Sequence, residues 1–216
     1  MARRRVGSNQ YKTRAGTASG DDFYADLVAQ LNAIPVEDRL RLATSSDTAP
    51  QQLRQMVTDR SIMVRAAVAR HPNTPADGLQ RLATSDALDV RLAVARNPNC
   101  PPDVLNHLLE DPGVSVHRQI AMHPRCPPEA FERLATHFGW KVRQEVARSA
   151  AVAVRLLVQL ADDDISEVGR AVAHNPRTPS ETLIELLADE DDEVRGAASR
   201  NPNLPPEYWE LGRVAQ

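Results

Sequence analysis

"VARNPNCPPDVLNHLL", residues 94–109, sets three prolines and two asparagines between two apolar runs of helical spacing. "VARHPNTPADGLQRLA" at 68–83 and "VAHNPRTPSETLIELL" at 172–187 repeat the pattern. A proline withholds a backbone donor and drives the residue before it out of the helical region, so each stretch must stop one helix and start another. A chain that does this several times is built from a repeated helical pair.

The period confirms the reading. Val64, Val90, Val116, Val142, Val168 and Val194 follow one another at intervals of 26 residues. Counting from that valine, position +4 holds Val68, Val94, Ile120, Val146, Val172 and Ala198, one turn on and on the same face. Position +7, His71, Asn97, His123, Ser149, Asn175 and Asn201, ends the first helix, because proline follows it in every unit but the one at Ser149. The second helix is expected to restart at Pro75, Pro101, Pro127, Pro179 and Pro205, where a missing N–H costs nothing. Thr74 and Thr178 stand three residues before Asp77 and Glu181, a capping-box spacing. Leucines and one phenylalanine at +15 (Leu79, Leu105, Phe131, Leu157, Leu183) and leucines at +18 form its buried stripe, with Trp209 as the last +15 residue.

A fainter copy begins near Asp38, with Leu42, Ala43, Leu53 and Met56 in register. Residues 21–37, with Phe23, Leu27 and Leu31, read as an N-terminal capping helix, 38–207 as repeats, and 208–216, with Tyr208 and Trp209, as a C-terminal cap. The fold class expected is all-α, a solenoid of about six helix–turn–helix units. Few aromatic and many small apolar residues agree with close-packed helices.

The repeat "VRLAVARNPNCPPDVLNHLL" resembles the leucine-rich repeat variant family, whose units read V-R-x-x-V-A-x-N-P-x-x-P-x-x-x-L-x-x-L. The match runs over about residues 38–212. The resemblance implies a right-handed superhelix of alternating α- and 3₁₀-helices without strands. Some members carry an N-terminal cysteine cluster for an iron–sulfur centre; this chain has no cysteine before Cys100, so that feature does not carry over. The first helix also resembles HEAT repeats in placing Asp59, Asp111, Asp163 and Asp189 five residues before the valine, with Ser85 and His137 as departures.

No cofactor, metal or catalytic set is read from the sequence. Cys100 and Cys126 occupy equivalent places in adjacent repeats, about 10 Å apart if the helices stack, which is beyond disulfide reach. Helical-repeat folds related to HEAT include DNA glycosylases, but no residue set for base excision is present to carry over.

Binding is a different matter. Arg65, Arg91, Arg143 and Arg195 at +1 have two readings, a phosphate stripe or a ladder of ion pairs to the recurring aspartates, and the regular aspartate partner favours the ladder. Arg70, Arg96, Arg148, His174 and Arg200 at +6 form a second cationic column, open either to the negative end of the first helix or to an acidic ligand. Columns −1 and +2, which include Lys141, Arg118 and Arg170, are expected to face solvent and to vary for recognition. Phe138 and Trp140 replace an acidic turn and are candidate hot spots if both face solvent.

Residues 1–20 contain Arg3, Arg4, Arg5, Lys12 and Arg14 and no acid; removing their +5 takes the chain from −3 to −8. This basic arm could neutralise a few phosphates, although an acidic body opposes nucleic acid overall. No apolar run long enough for a membrane span is present, and no apolar stretch follows the basic start as in a secretory leader, so a cytoplasmic location is expected. The functional expectation is a non-catalytic scaffold that binds a protein along the first-helix face, with nucleic-acid association through the basic arm and the arginine columns as the alternative.

Overall fold

The computed structural model describes residues 33–208. The arm with Arg3, Arg4, Arg5, Lys12 and Arg14, residues 21–32 with Phe23, Leu27 and Leu31, and residues 209–216 with Trp209 lie outside the described residues. Every element among the described residues is helical. First helices span Val36–Thr44, Ile62–Arg70, Leu88–Ala95, Val114–Ala121, Trp140–Arg148, Ser166–His174 and Asp192–Ala198. Second helices span Pro50–Met56, Ala76–Ala83, Pro102–His107, Pro128–Ala135, Val154–Ala161 and Ser180–Leu186. Among the described residues, the 3₁₀ geometry that the family resemblance implies is confined to Leu108–Glu110 and Pro206–Tyr208.

The two layers stack unequally. First helices pack on their neighbours more extensively than second helices do, which makes the first-helix layer the tighter one. The valines at the repeat origin and the Val or Ile at +4 are fully buried throughout, as are the alanines at +5, whose small side chains let successive first helices approach. The stripe at +15 and +18 closes the core from the second layer. Leu42 departs from this pattern: it is 36% exposed at the edge of the described stack, while Ala43 beside it is buried.

Three features of the turn differ from the sequence-based expectation. The prolines at +11 are not inside the second helix but immediately before it, at Pro75, Pro101, Pro127 and Pro179, with extended backbone. Thr74 and Thr178 do not cap that helix. Their hydroxyls donate backward to the carbonyls of Val68 and Val172, at 2.5 and 2.6 Å, adding a second donor to carbonyls that already accept the N–H of His71 and Asn175 at the end of the first helix. The residue at +7 does more than end a helix. Asn97 is fully buried and its amide donates to the carbonyls of Ala69 and His71 in the preceding repeat, at 2.7 and 2.9 Å, while its Oδ1 accepts from the Asn99 N–H. Asn175 and Asn201 make the same set of bonds one repeat apart. His71 and His123 imitate it, with Nε2 on the carbonyls of Ser45 and Asn97 and Nδ1 accepting from the next turn N–H. In both rings that pair of partners suits a proton on Nε2 and a free lone pair on Nδ1.

The arginines at +1 form the expected ladder. Arg91 Nη1 donates to the Ser85 carbonyl of its own repeat at 2.8 Å, and its Nε lies 2.5 Å from Asp111 Oδ2 of the next. Arg143 does the same with the His137 carbonyl and Asp163. Arg39, in the faint first copy, is 1% exposed and makes the bidentate pair with Asp59. Each aspartate also accepts the N–H two residues on through its other oxygen, so one carboxylate holds both a turn and a joint. Arg65 finds only the exposed Asp86 because Ser85 stands in the aspartate place, and Arg195 turns to Asp192 of its own helix.

Candidate functional site

With the +1 arginines engaged by carboxylates and carbonyls, the remaining surface of the first-helix layer carries the candidate site. The +6 residues Arg70, Arg96, Arg148, His174 and Arg200 are all exposed. Their local partners are modest. Arg70 Nε reaches the Ala66 carbonyl at 3.4 Å, His174 Nδ1 lies 2.8 Å from the Arg170 carbonyl, and Arg96 Nε donates to Gln119 at 3.2 Å. Arg148 lies 3.6 Å from Glu145, and Arg200 lies alongside Gly196. Among the described residues neither Arg70 nor Arg96 has a carboxylate partner.

The +2 column does not face solvent as a set. Ala66 and Gln144 are buried, the latter donating to the Glu167 carbonyl, because +2 falls where one first helix meets the next. Arg118 is held by the buried Glu145 through two bonds of 3.0 and 2.6 Å, and Arg170 is paired with Glu193. Phe138 and Trp140 part company. Phe138 is 83% exposed and stacks on His137, whereas Trp140 packs partly into the core with Lys141 over its ring at 5.4 Å.

The sequence reading overlooked the −2 column. Ile62 and Leu88 stand 47% and 43% exposed there, next to Met63 at 64%. Their signal was an apolar residue in the first turn of four successive first helices, Ile62, Leu88, Val114 and Trp140. Ile62 and Met63 border a groove of about 840 Å³ across the first three first helices, with the small side chains of Ala66, Ala67 and Ala93 in its lining. Arg70 and Arg96 line it at the C-terminal ends of their helices and Glu37 and Asp89 at the N-terminal ends. This polarity follows the helix dipole on both sides.

Neither thiol is poised for chemistry. Burial pushes both Cys100 and Cys126 up to about 12, with Asp103 and Glu129 adding to the effect. No group of three potential metal ligands is found among the described residues, and no helix among them is long and apolar enough to cross a membrane.

These features define a helical-repeat α-solenoid with an exposed, polar-rimmed face on its tighter layer. The model of the Leucine Rich Repeat Variant domain matches residues 63–116, so the resemblance read from the sequence holds over that span. Among solved structures, a leucine-rich repeat variant with a novel repetitive protein structural motif is 24% identical, covers 91% of this chain and 83% of its own, and superposes with a TM-score of 0.65; the likeness is one of fold. An engineered protein (19% identity, 89% and 71% coverage, TM-score 0.39) and a designed armadillo repeat protein (16% identity, 88% and 98% coverage, TM-score 0.29) are more distant. No curated protein matches the chain.

Proposed function

We propose that the protein is a non-catalytic, cytoplasmic scaffold that binds a protein partner along the face of its first helices. The observation that carries the reading is the co-location on that face of exposed apolar side chains, Ile62, Met63, Leu88 and Met122 at 43–64% exposure, with the cationic +6 column. Apolar anchors ringed by charge are the composition of a protein-binding surface. Thiols held protonated at neutral pH support the non-catalytic part. The test is affinity capture with wild-type protein and with Arg96→Glu/Arg148→Glu. Loss of a partner on charge reversal is the expected result, and equal capture by both proteins overturns the reading. The alternative, nucleic-acid association, rests on the five cations of residues 1–20. It requires a salt-dependent mobility shift that disappears when those residues are deleted, and equal binding by the truncated chain sinks it.

A further inference from the structure

We propose that the groove across the helices Val36–Thr44, Ile62–Arg70 and Leu88–Ala95 seats a short acidic peptide that inserts a bulky aliphatic or aromatic side chain. The peptide's carboxylates lie against Arg70 and Arg96. The proposal rests on the reading of the first-helix face as protein-binding and narrows it to one end and one chemistry.

The shape comes first. Alanines at 66, 67 and 93 leave room that larger residues would fill, while Leu40, Met63 and Leu92 supply apolar wall. The volume of about 840 Å³ lies within the range of about 300–1,000 Å³ typical of pockets that enclose a ligand. Met63 is unbranched and flexible, so the wall can adapt to either an aliphatic or an aromatic insert.

The charges then select the occupant. Arg41 is answered by Asp38 at 3.1 Å, whereas Arg70 and Arg96 have no carboxylate partner among the described residues. They belong to successive repeats, about 10 Å apart by helix packing. That distance matches acids three residues apart in an extended chain or seven apart in a helix. Glu37 and Asp89 on the opposite rim repel carboxylates, which fixes the orientation of the peptide and disfavours a polyanion such as nucleic acid.

The probe is a fluorescein-labelled peptide with Asp-Asp-Leu-Phe-Asp-Asp in a Gly/Ser context, titrated by anisotropy against the full chain. Comparison peptides replace the acids by Lys or Leu-Phe by Ser-Ser. Saturable binding of the acidic apolar peptide alone is expected, weakened about tenfold or more by Arg70→Glu/Arg96→Glu through loss of charge-assisted hydrogen bonds. Met63→Ser, a change at an exposed side chain, is expected to weaken it as well. Circular dichroism verifies that each variant is folded. Equal binding of acidic and basic peptides, or affinity untouched by the double reversal, overturns the proposal. So does binding that appears only after residues 1–20 are deleted, which would make the groove the seat of the chain's own arm. If the peptide fails while partner capture still depends on Arg148, the face reading stands and the groove falls. If the peptide binds while capture ignores the face, the groove stands alone.

Discussion

The joint between the repeats centred on Val116 and Val142 and the next one, between Val142 and Val168, occupy equivalent places in the register but share neither of two connections. At the second joint Arg143 clamps Asp163, with bonds of 2.5 and 2.8 Å, and Asn175 donates to the carbonyls of Ala147 and Ser149. At the first, His117 replaces the arginine and His137 the aspartate, facing each other with Nδ1 and Nε2 2.9 Å apart. Ser149 stands where the asparagine would be, and its hydroxyl bonds within its own turn. A cleft of about 410 Å³ lined by Met122, His123 and Ser149 opens at that edge. The first joint retains the Arg118–Glu145 pair, which has no equivalent at the clamped joints. Identical cores therefore leave room for unequal joints, and the inequality is written in polar residues.

The histidine pair has a definite proton arrangement. His137 Nδ1 accepts the Gly139 N–H at 2.9 Å, as an aspartate oxygen does elsewhere, so its proton lies on Nε2 and points at His117 Nδ1. His117 then carries its proton on Nε2, a buried atom without a hydrogen-bonded partner. Either ring must lose one of these contacts to take a second proton.

The largest expected contrast between the joints comes from cutting the clamp. Asp163→Ala leaves Arg143 facing an empty, largely buried place and is expected to cost about 3 kcal/mol in urea unfolding of the full chain. His137→Ala is expected to cost about 1 kcal/mol, since only a neutral pair is lost. Equal losses would show that the two joints are energetically alike. Next comes the rung. Asn175→Ala strips donors from two carbonyls and is expected to cost about 2 kcal/mol, whereas Ser149→Asn offers the missing donor to Ala121 and His123 and is expected to stabilise by about 1 kcal/mol. A destabilised Ser149→Asn would mean that the cleft cannot close around an amide.

The smallest expected effect is on pH dependence. Burial lowers the pKa of His117, opposed by the Leu109 carbonyl, Asp111 and Glu110 and aided by Arg133; burial and then His117 lower that of His137, with Arg143 acting the same way. The folded joint therefore binds fewer protons than the unfolded chain once pH falls below the ordinary histidine value of about 6.5, and stability declines from there down through the folded values. At the joint before it, burial alone would raise the pKa of Asp111. Bonds from Arg91 and Gly113 and the guanidinium charge outweigh that and hold it below the ordinary carboxylate value. Its contribution is lost only as pH falls below about 4. Between these windows the histidine joint weakens while the Arg91–Asp111 clamp holds. Unfolding midpoints at pH 7 and 5 should differ less in His117→Arg/His137→Asp than in wild type, with a residual slope from His123, whose pKa burial also lowers. An unchanged slope would remove the pair from the account.

The sequence made the period, the core columns and the arginine ladder legible, because each depends on residues in one register. The asparagine rung was not legible. A residue before proline already had a sufficient reason to end a helix, and nothing local shows that its amide crosses to the previous repeat. The histidine pair hid for a similar reason: His117 and His137 read as unrelated exceptions in two columns, and only the offset of 20 residues between clamp partners joins them. The +2 column was misplaced because a single helix cannot show how closely its neighbours approach. The −2 anchors and the groove needed the stacking of three helices.

Clamp and rung both reach across one repeat boundary in fixed register, so the stack is divisible at that interval. Excising residues 85–110, one period of 26, would join Thr84 to Asp111. Arg65, whose carboxylate partner is now the exposed Asp86, would meet the Asp111 carboxylate, and the His123 ring would meet the His71 carbonyl. Length in this protein is thus a quantity that can change by whole units, and a deletion of any other size would break the register of the connections that span it.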